Sequence, residues 1–160
     1  MMSNAKGWIL TGLVAILFLK VSRSARALKI ALSSYEIDSV NLVDGTVGMY
    51  LYFTINNPLW VGVTLKEISG SLMAQSGEQI ETIGTVDNKY NYFIRGNATH
   101  VVRAKINISS KSALTALMQN IQSGDVNNLL LTFDGKLTFG SGNGVAIPIK
   151  RTMTYKELVQ

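Results

Sequence analysis

The chain has 160 residues and a formal net charge of +5; it is 47% hydrophobic and only 16% charged. That balance excludes intrinsic disorder and fits one domain with an appendage. Cysteine is absent and His100 is the single histidine. Disulfide scaffolds, thiolate metal sites, cysteine nucleophiles and multi-histidine metal centres are thereby excluded, and no cofactor is expected.

The charge is unevenly placed. Lys6, Lys20, Arg23, Arg26 and Lys29 are the basic residues of positions 1–32, a stretch with no Asp or Glu. The remainder carries equal numbers of basic and acidic side chains. A nucleic-acid-binding domain would spread its charge over a folded face, so no nucleic-acid partner is expected. Here the charge flanks an apolar run, Gly7 to Leu19, which points to a lipid bilayer.

Those 13 residues would span roughly 20 Å as a helix, against a hydrocarbon core of about 30 Å. Snorkelling Lys6 and Lys20 extend the reach, so a thin bilayer suffices. The expected anchor residues are Trp8, Ile9, Leu10, Leu13, Val14, Ile16, Leu17, Phe18 and Leu19. Lys6, Lys20, Arg23, Arg26 and Lys29 are expected at the head groups. The helix is expected to continue through Leu32, with Val21, Ala25, Leu28 and Leu32 on one face. Two other readings stand beside the anchor. Ala25-Arg26-Ala27 imitates a signal-peptidase site. A run this short also suits a buried core helix. The basic residues after the run favour a single-pass anchor that leaves the C-terminal domain on the cytoplasmic side, or inside the particle if the membrane is a virion's.

From Tyr35 onward the pattern has period two. In Met49–Ile55, Met49, Leu51, Phe53 and Ile55 face one way, and Tyr50, Tyr52 and Thr54 the other. Val102–Ile108 repeats this, as do Leu129, Leu131, Phe133, Leu137 and Phe139, followed by Val145, Ile147 and Ile149. One apolar face at period two denotes half-buried antiparallel strands. Turn signals separate them: Asp44-Gly45, Asn56-Asn57-Pro58, Ser76-Gly77, Asp87-Asn88, Arg95-Gly96-Asn97 and Gly140-Ser141-Gly142-Asn143-Gly144. Between Val63/Leu65 and Ile68/Leu72 the apolar parity slips by one, which places a β-bulge at Lys66-Glu67. One segment differs. Ser109–Ser112 caps a run with Ala113, Leu114, Leu117, Met118 and Ile121 at helical spacing, closed by Gly124.

The expected fold is therefore all-β: an immunoglobulin- or fibronectin III-like antiparallel β-sandwich of about seven strands with one short helix, preceded by an N-terminal transmembrane helix. The division is 1–32 for the anchor and its basic flank, and 33–160 for the β-sandwich.

Chemistry is sparse. The glycine cluster at 140–144 resembles a phosphate cradle but is followed by a strand rather than a helix N-terminus, so a hairpin turn is expected. His100 lacks a second histidine, and spacing aligns no acid with it; it is expected on the surface. Glu78 with Glu81, or Asp134 with Glu157, could be drawn as acid–base pairs, but solvated faces account for them. No nucleophile elbow appears. Tyr50/Tyr52 and Tyr90/Tyr92/Phe93 read as outward aromatic ladders or a partner surface. Asn97-Ala98-Thr99 and Asn107-Ile108-Ser109 match the glycosylation sequon, which matters only in a eukaryotic secretory lumen.

The segment from Tyr50 to Leu72, with Asn57-Pro58 between two strands, resembles the type 2 late embryogenesis abundant or WHy (water stress and hypersensitive response) domain. The segment at 110–122, followed by two strands with Pro148 in the last, extends the resemblance over about residues 34–156. The resemblance implies an immunoglobulin-like sandwich with one helix, an association with water stress and plant defence, and no established enzymatic activity. Asn57 and Pro58 then carry fold rather than catalysis: proline ends a ladder, and asparagine bonds nearby backbone. The leading expectation is a non-enzymatic, membrane-anchored structural or interaction module. Its partners would be the bilayer and other proteins of an envelope complex or membrane-containing virion, with self-association into a homo-oligomer allowed. The alternative is a water-stress protective protein of the WHy kind tethered to the membrane.

Overall fold

A computed structural model describes residues 27–41, 43–76, 78–108, 129–140 and 144–154. Seven strands occupy nearly all of them: β1 (Lys29–Asn41), β2 (Thr46–Asn57), β3 (Val63–Ser76), β4 (Gln79–Ile94), β5 (Ala98–Ile108), β6 (Leu129–Phe139) and β7 (Val145–Thr154). They form one antiparallel sheet in the order β1-β2-β5-β4-β3-β6-β7. The sheet curls into a nearly closed barrel around a single core.

The alternation read in the sequence fills that core. Val47, Met49, Leu51, Phe53 and Ile55 of β2 point inward, as do Val102, Ala104, Ile106 and Ile108 of β5. Leu131, Phe133, Leu137 and Phe139 of β6 meet them from the far wall. The rings of Phe53 and Phe133 pack edge to face with centroids 5.4 Å apart, although β2 and β6 are not neighbours in the sheet. That contact runs through the interior and ties the two halves of the sheet together.

The halves are joined at a narrow seam. β4 and β5 pair only at Gly84↔Ile108 and Thr85↔Asn107, and then diverge. The ladders thus run through all seven strands. Along the opened part of the seam, Tyr90 Oη donates to the Arg103 carbonyl at 2.6 Å and replaces a missing ladder bond.

The expected bulge is present. The register of β3 shifts between Leu65 and Glu67 on both of its flanks, against β4 and against β6. Two other expectations are corrected. Asp87-Asn88 is not a turn but lies inside β4, opposite Ser69 and Ile68. The helix expected to run through Leu32 gives way to strand from Lys29, with Lys29↔Asn56 and Leu32↔Phe53 in register. The physical reason is plain: the spacing of four between Leu28 and Leu32 also fits period two, and both side chains are buried in the barrel core.

Among the described residues, no helix is long and apolar enough to cross a membrane. The proposed anchor residues Trp8–Leu19, with Lys6, Lys20, Arg23 and Arg26, lie outside the described residues, as does the helix expected at 110–122.

Candidate functional site

Antiparallel pairing brings the starts of β1, β3, β5 and β7 and the ends of β2, β4 and β6 to one end of the barrel. Asn57 sits there as the buried polar side chain among the described residues, 1% exposed. Its Oδ1 accepts from the Leu59 N–H at 3.2 Å, forming a turn around Pro58. Its Nδ2 donates to the Val61 carbonyl at 2.8 Å and to the Arg95 carbonyl at 3.2 Å. One amide therefore closes the β2–β3 loop and clamps it to the β4–β5 turn. Pro58 cannot donate to the ladder, so the strand ends where Asn57 takes over the hydrogen bonding.

The β4–β5 turn is fitted closely to that loop. The Asn97 N–H donates to the Leu59 carbonyl at 2.7 Å, and Asn97 holds φ 52°, a conformation asparagine tolerates. A Cβ on Gly96 would lie 2.3 Å from the Trp60 carbonyl oxygen, so only glycine fits between loop and turn. His100 braces the turn from β5. Its Nε2 accepts from the Arg95 N–H at 3.2 Å, and its Nδ1 lies 3.2 Å from Tyr92 Oη. A backbone N–H can only donate, so in this arrangement Nδ1 carries the proton and donates to the tyrosine oxygen. The expectation of a plain surface histidine missed this bracing. No spacing rule in the sequence reveals it, because the bond to Arg95 depends on the shape of the turn.

The loop also exposes aromatic surface. Trp60 is 76% exposed and Phe93 59%, with the Phe93 ring lying over Gly62. Lys29 and Arg95 are exposed at the same end. Lys66 lies nearby, its Nζ donating to Asn91 Oδ1 at 2.7 Å. Among the described residues no Asp or Glu occurs in 27–35, 52–66, 88–108, 135–140 or 144–154. Asp44, Glu78 and Glu81 lie toward the opposite end.

The remaining candidates are dispersed. Tyr50 and Tyr52 form an outward ladder on β2, opposite Lys105 and Arg103 of β5. The Arg103 guanidinium lies 4.8 Å from the Tyr50 ring centroid, a stacking that stabilises the outer face. Tyr52 donates to Glu36, and that bond, more than burial, pushes its phenol above the ordinary value. Of the glycine cluster, Gly140 and Gly144 are at positive φ, with Phe139↔Val145 in register and strand following from Val145. Glu78 and Glu81 are exposed, while Asp134 pairs with Lys150 at 3.3 Å; Glu157 lies outside the described residues. Among the described residues no group of three His, Cys, Asp or Glu is placed to hold a metal ion.

No family model and no curated protein matches the chain by sequence. Solved structures do match in shape. A solution structure from Arabidopsis thaliana superposes with a TM-score of 0.57 at 16% identity, covering 78% of this chain and 80% of that one. A crystal structure of a protein from Archaeoglobus fulgidus gives 0.53 at 8% identity, covering 78% and 92%. The solution structure of a chain provisionally named a late embryogenesis abundant (LEA) protein gives 0.50 at 12% identity, covering 96% and 90%. At these identities the likeness is one of fold.

Proposed function

We propose that the chain is a non-catalytic water-stress protective domain of the LEA/WHy kind, tethered to a membrane by residues 7–19. The observation that carries the reading is the coincidence of motif and fold. Within the segment of the sequence resemblance, Asn57, just before Pro58, is the buried clamp of a barrel whose shape is similar to a chain named as LEA. The finer reading of the fold as an immunoglobulin-like sandwich belongs to the same proposal. It is supported by the narrow β4–β5 seam and by the Phe53–Phe133 contact across the core.

Protection requires a domain that stays folded as water is withdrawn. Here ladders link all seven strands, and the outer faces carry side-chain pairs: Asn56 with Thr99, Lys105 with Asp38, Thr132 with Thr152, and Arg103 over the Tyr50 ring.

The test is to dry a desiccation-sensitive enzyme with the full chain in phospholipid vesicles, or with an equal mass of serum albumin, and to measure activity after rehydration. Recovery above the albumin control supports the reading. Recovery at the albumin level, together with cross-linking to membrane neighbours at fixed stoichiometry, overturns it in favour of a structural component.

A further inference from the structure

We infer that the Asn57-clamped end of the barrel is a docking face for an anionic phospholipid surface, with Trp60 and Phe93 seated among the head groups and Lys29 and Arg95 on lipid phosphates. The inference rests on the tethered-domain reading and adds an orientation to it.

Three observations converge on that end. First, the chain enters the barrel there: Leu28 is buried and Lys29 opens β1 opposite Asn56, one residue from the Asn57 clamp. Seven residues separate Leu19, the last of the apolar run, from Ala27. Even fully extended they reach only about 25 Å. A bilayer holding residues 7–19 therefore lies within reach of this end, while β2, 12 residues long and tilted as barrel strands are, carries the opposite end roughly 30 Å further away.

Second, Trp60 and Phe93 are exposed on this end. The Trp60 loop is held rigid by Asn57 and by the Asn97 N–H bond to Leu59, so its exposure is built in rather than incidental. Indole favours the membrane interface, where its body is apolar and its N–H finds water or phosphate.

Third, the charge is polarised along the barrel. The described carboxylates begin no nearer this end than Glu36 on β1 and Glu67 on β3, and Glu67 is paired with Lys89. Lys29 and Arg95 are exposed on the end itself, where an anionic surface attracts them. Val43 and Ile80 are exposed toward the other end, but beside Asp44, Glu78 and Glu81, which anionic head groups repel.

The chain has two tryptophans, Trp8 and Trp60, so full-length Trp8→Phe leaves Trp60 as the one reporter. This variant is reconstituted into vesicles of mixed phosphatidylserine and phosphatidylcholine, with and without brominated acyl chains, and into phosphatidylcholine alone. Docking predicts blue-shifted Trp60 emission, quenching by brominated lipid and shielding from aqueous iodide in the anionic vesicles. It also predicts a loss of that quenching in Arg95→Glu and Lys29→Glu and at high salt. A thermal melt checks that each variant is folded.

Emission that stays red and open to iodide overturns the proposal. Shielding from iodide without quenching by brominated lipid also overturns it, because the cover is then protein: the N-terminal segment or a second copy. Failure of the full chain to sediment with vesicles overturns the tethering as well, and is thereby told apart from a tethered domain that does not dock. The drying assay reads protection independently of where Trp60 lies.

Discussion

The side-chain amide of Asn57 donates to the main-chain carbonyl of Arg95, 38 residues further along the chain, at 3.2 Å. With its bonds to Val61 and Leu59, it satisfies three backbone groups at the end of the barrel from one buried side chain. Replacing it strands all three. Asn57→Ala is expected to cost about 1–3 kcal/mol, the usual penalty for leaving buried polar groups unpaired. Asn57→Asp keeps the acceptor but loses both donors and buries a charge, so it is expected to be worse than alanine. Urea denaturation tests this: both variants shift the midpoint down at constant slope, aspartate further.

Gly70 of β3 and Gly135 of β6 face each other in the sheet, and the Phe133 ring folds over both. A Cβ on Gly70 would lie 2.6 Å from the Gly135 Cα and 2.7 Å from the Asp134 carbonyl oxygen, both main-chain atoms that cannot turn aside. Gly70→Ala is therefore expected to destabilise by about 1–3 kcal/mol through overpacking, although alanine elsewhere in a chain commonly stabilises relative to glycine. Thermal unfolding decides the sign. A higher melting temperature for Gly70→Ala would refute the close approach.

The β4–β5 seam is expected to be the place where the sheet opens first. Beyond Gly84 and Thr85, side chains rather than ladder bonds link the two strands, chiefly Tyr90 to the Arg103 carbonyl. Tyr90→Phe removes that bond at a cost of about 1 kcal/mol. Hydrogen exchange is expected to be faster in β4 from Val86 to Ile94 than in the fully laddered β3, and faster again in the variant. Equal protection of β3 and β4 would contradict the seam.

Acid sensitivity follows from Glu67. A hydrogen bond from Lys89, whose Nζ lies 3.0 Å from Glu67 Oε2, is the main cause holding this carboxyl below its ordinary value. The same bond raises Lys89. A lowered carboxylate contributes stability that is fully present above its unfolded value and is lost as pH falls through the folded one. The raised lysine contributes below its ordinary value and loses that contribution as pH climbs through the raised one. Glu67→Gln is expected to lower the melting temperature slightly at neutral pH, with the difference vanishing in acid. The effect is small because the pair is open to solvent.

Much of the fold was legible locally. The alternation in Met49–Ile55 and Val102–Ile108 marks which side chains fill the core, because period two leaves one face per strand to bury. The slip at Lys66-Glu67 marked the bulge for the same reason. β4 was harder to read. Its inward residues Ile83, Val86 and Ile94 lose strict alternation across two register shifts, so Asp87-Asn88 has the look of a turn although pairing with β3 holds it extended. Lys29–Leu32 reads equally as helix or strand, because a spacing of four is common to both.

The sequence by itself determined the polarity of the N-terminus, the all-β character and the Asn57-Pro58 break, since each follows from residue types within a few positions of one another. The tertiary structure alone decided that Asn57 meets Arg95, that His100 braces the same turn, and that Trp60, Phe93, Lys29 and Arg95 share one end while Asp44, Glu78 and Glu81 lie toward the other. The physical reason is strand order. Antiparallel pairing in the order β1-β2-β5-β4-β3-β6-β7 brings residues tens of positions apart to a common end, and nothing local to any of them encodes that meeting.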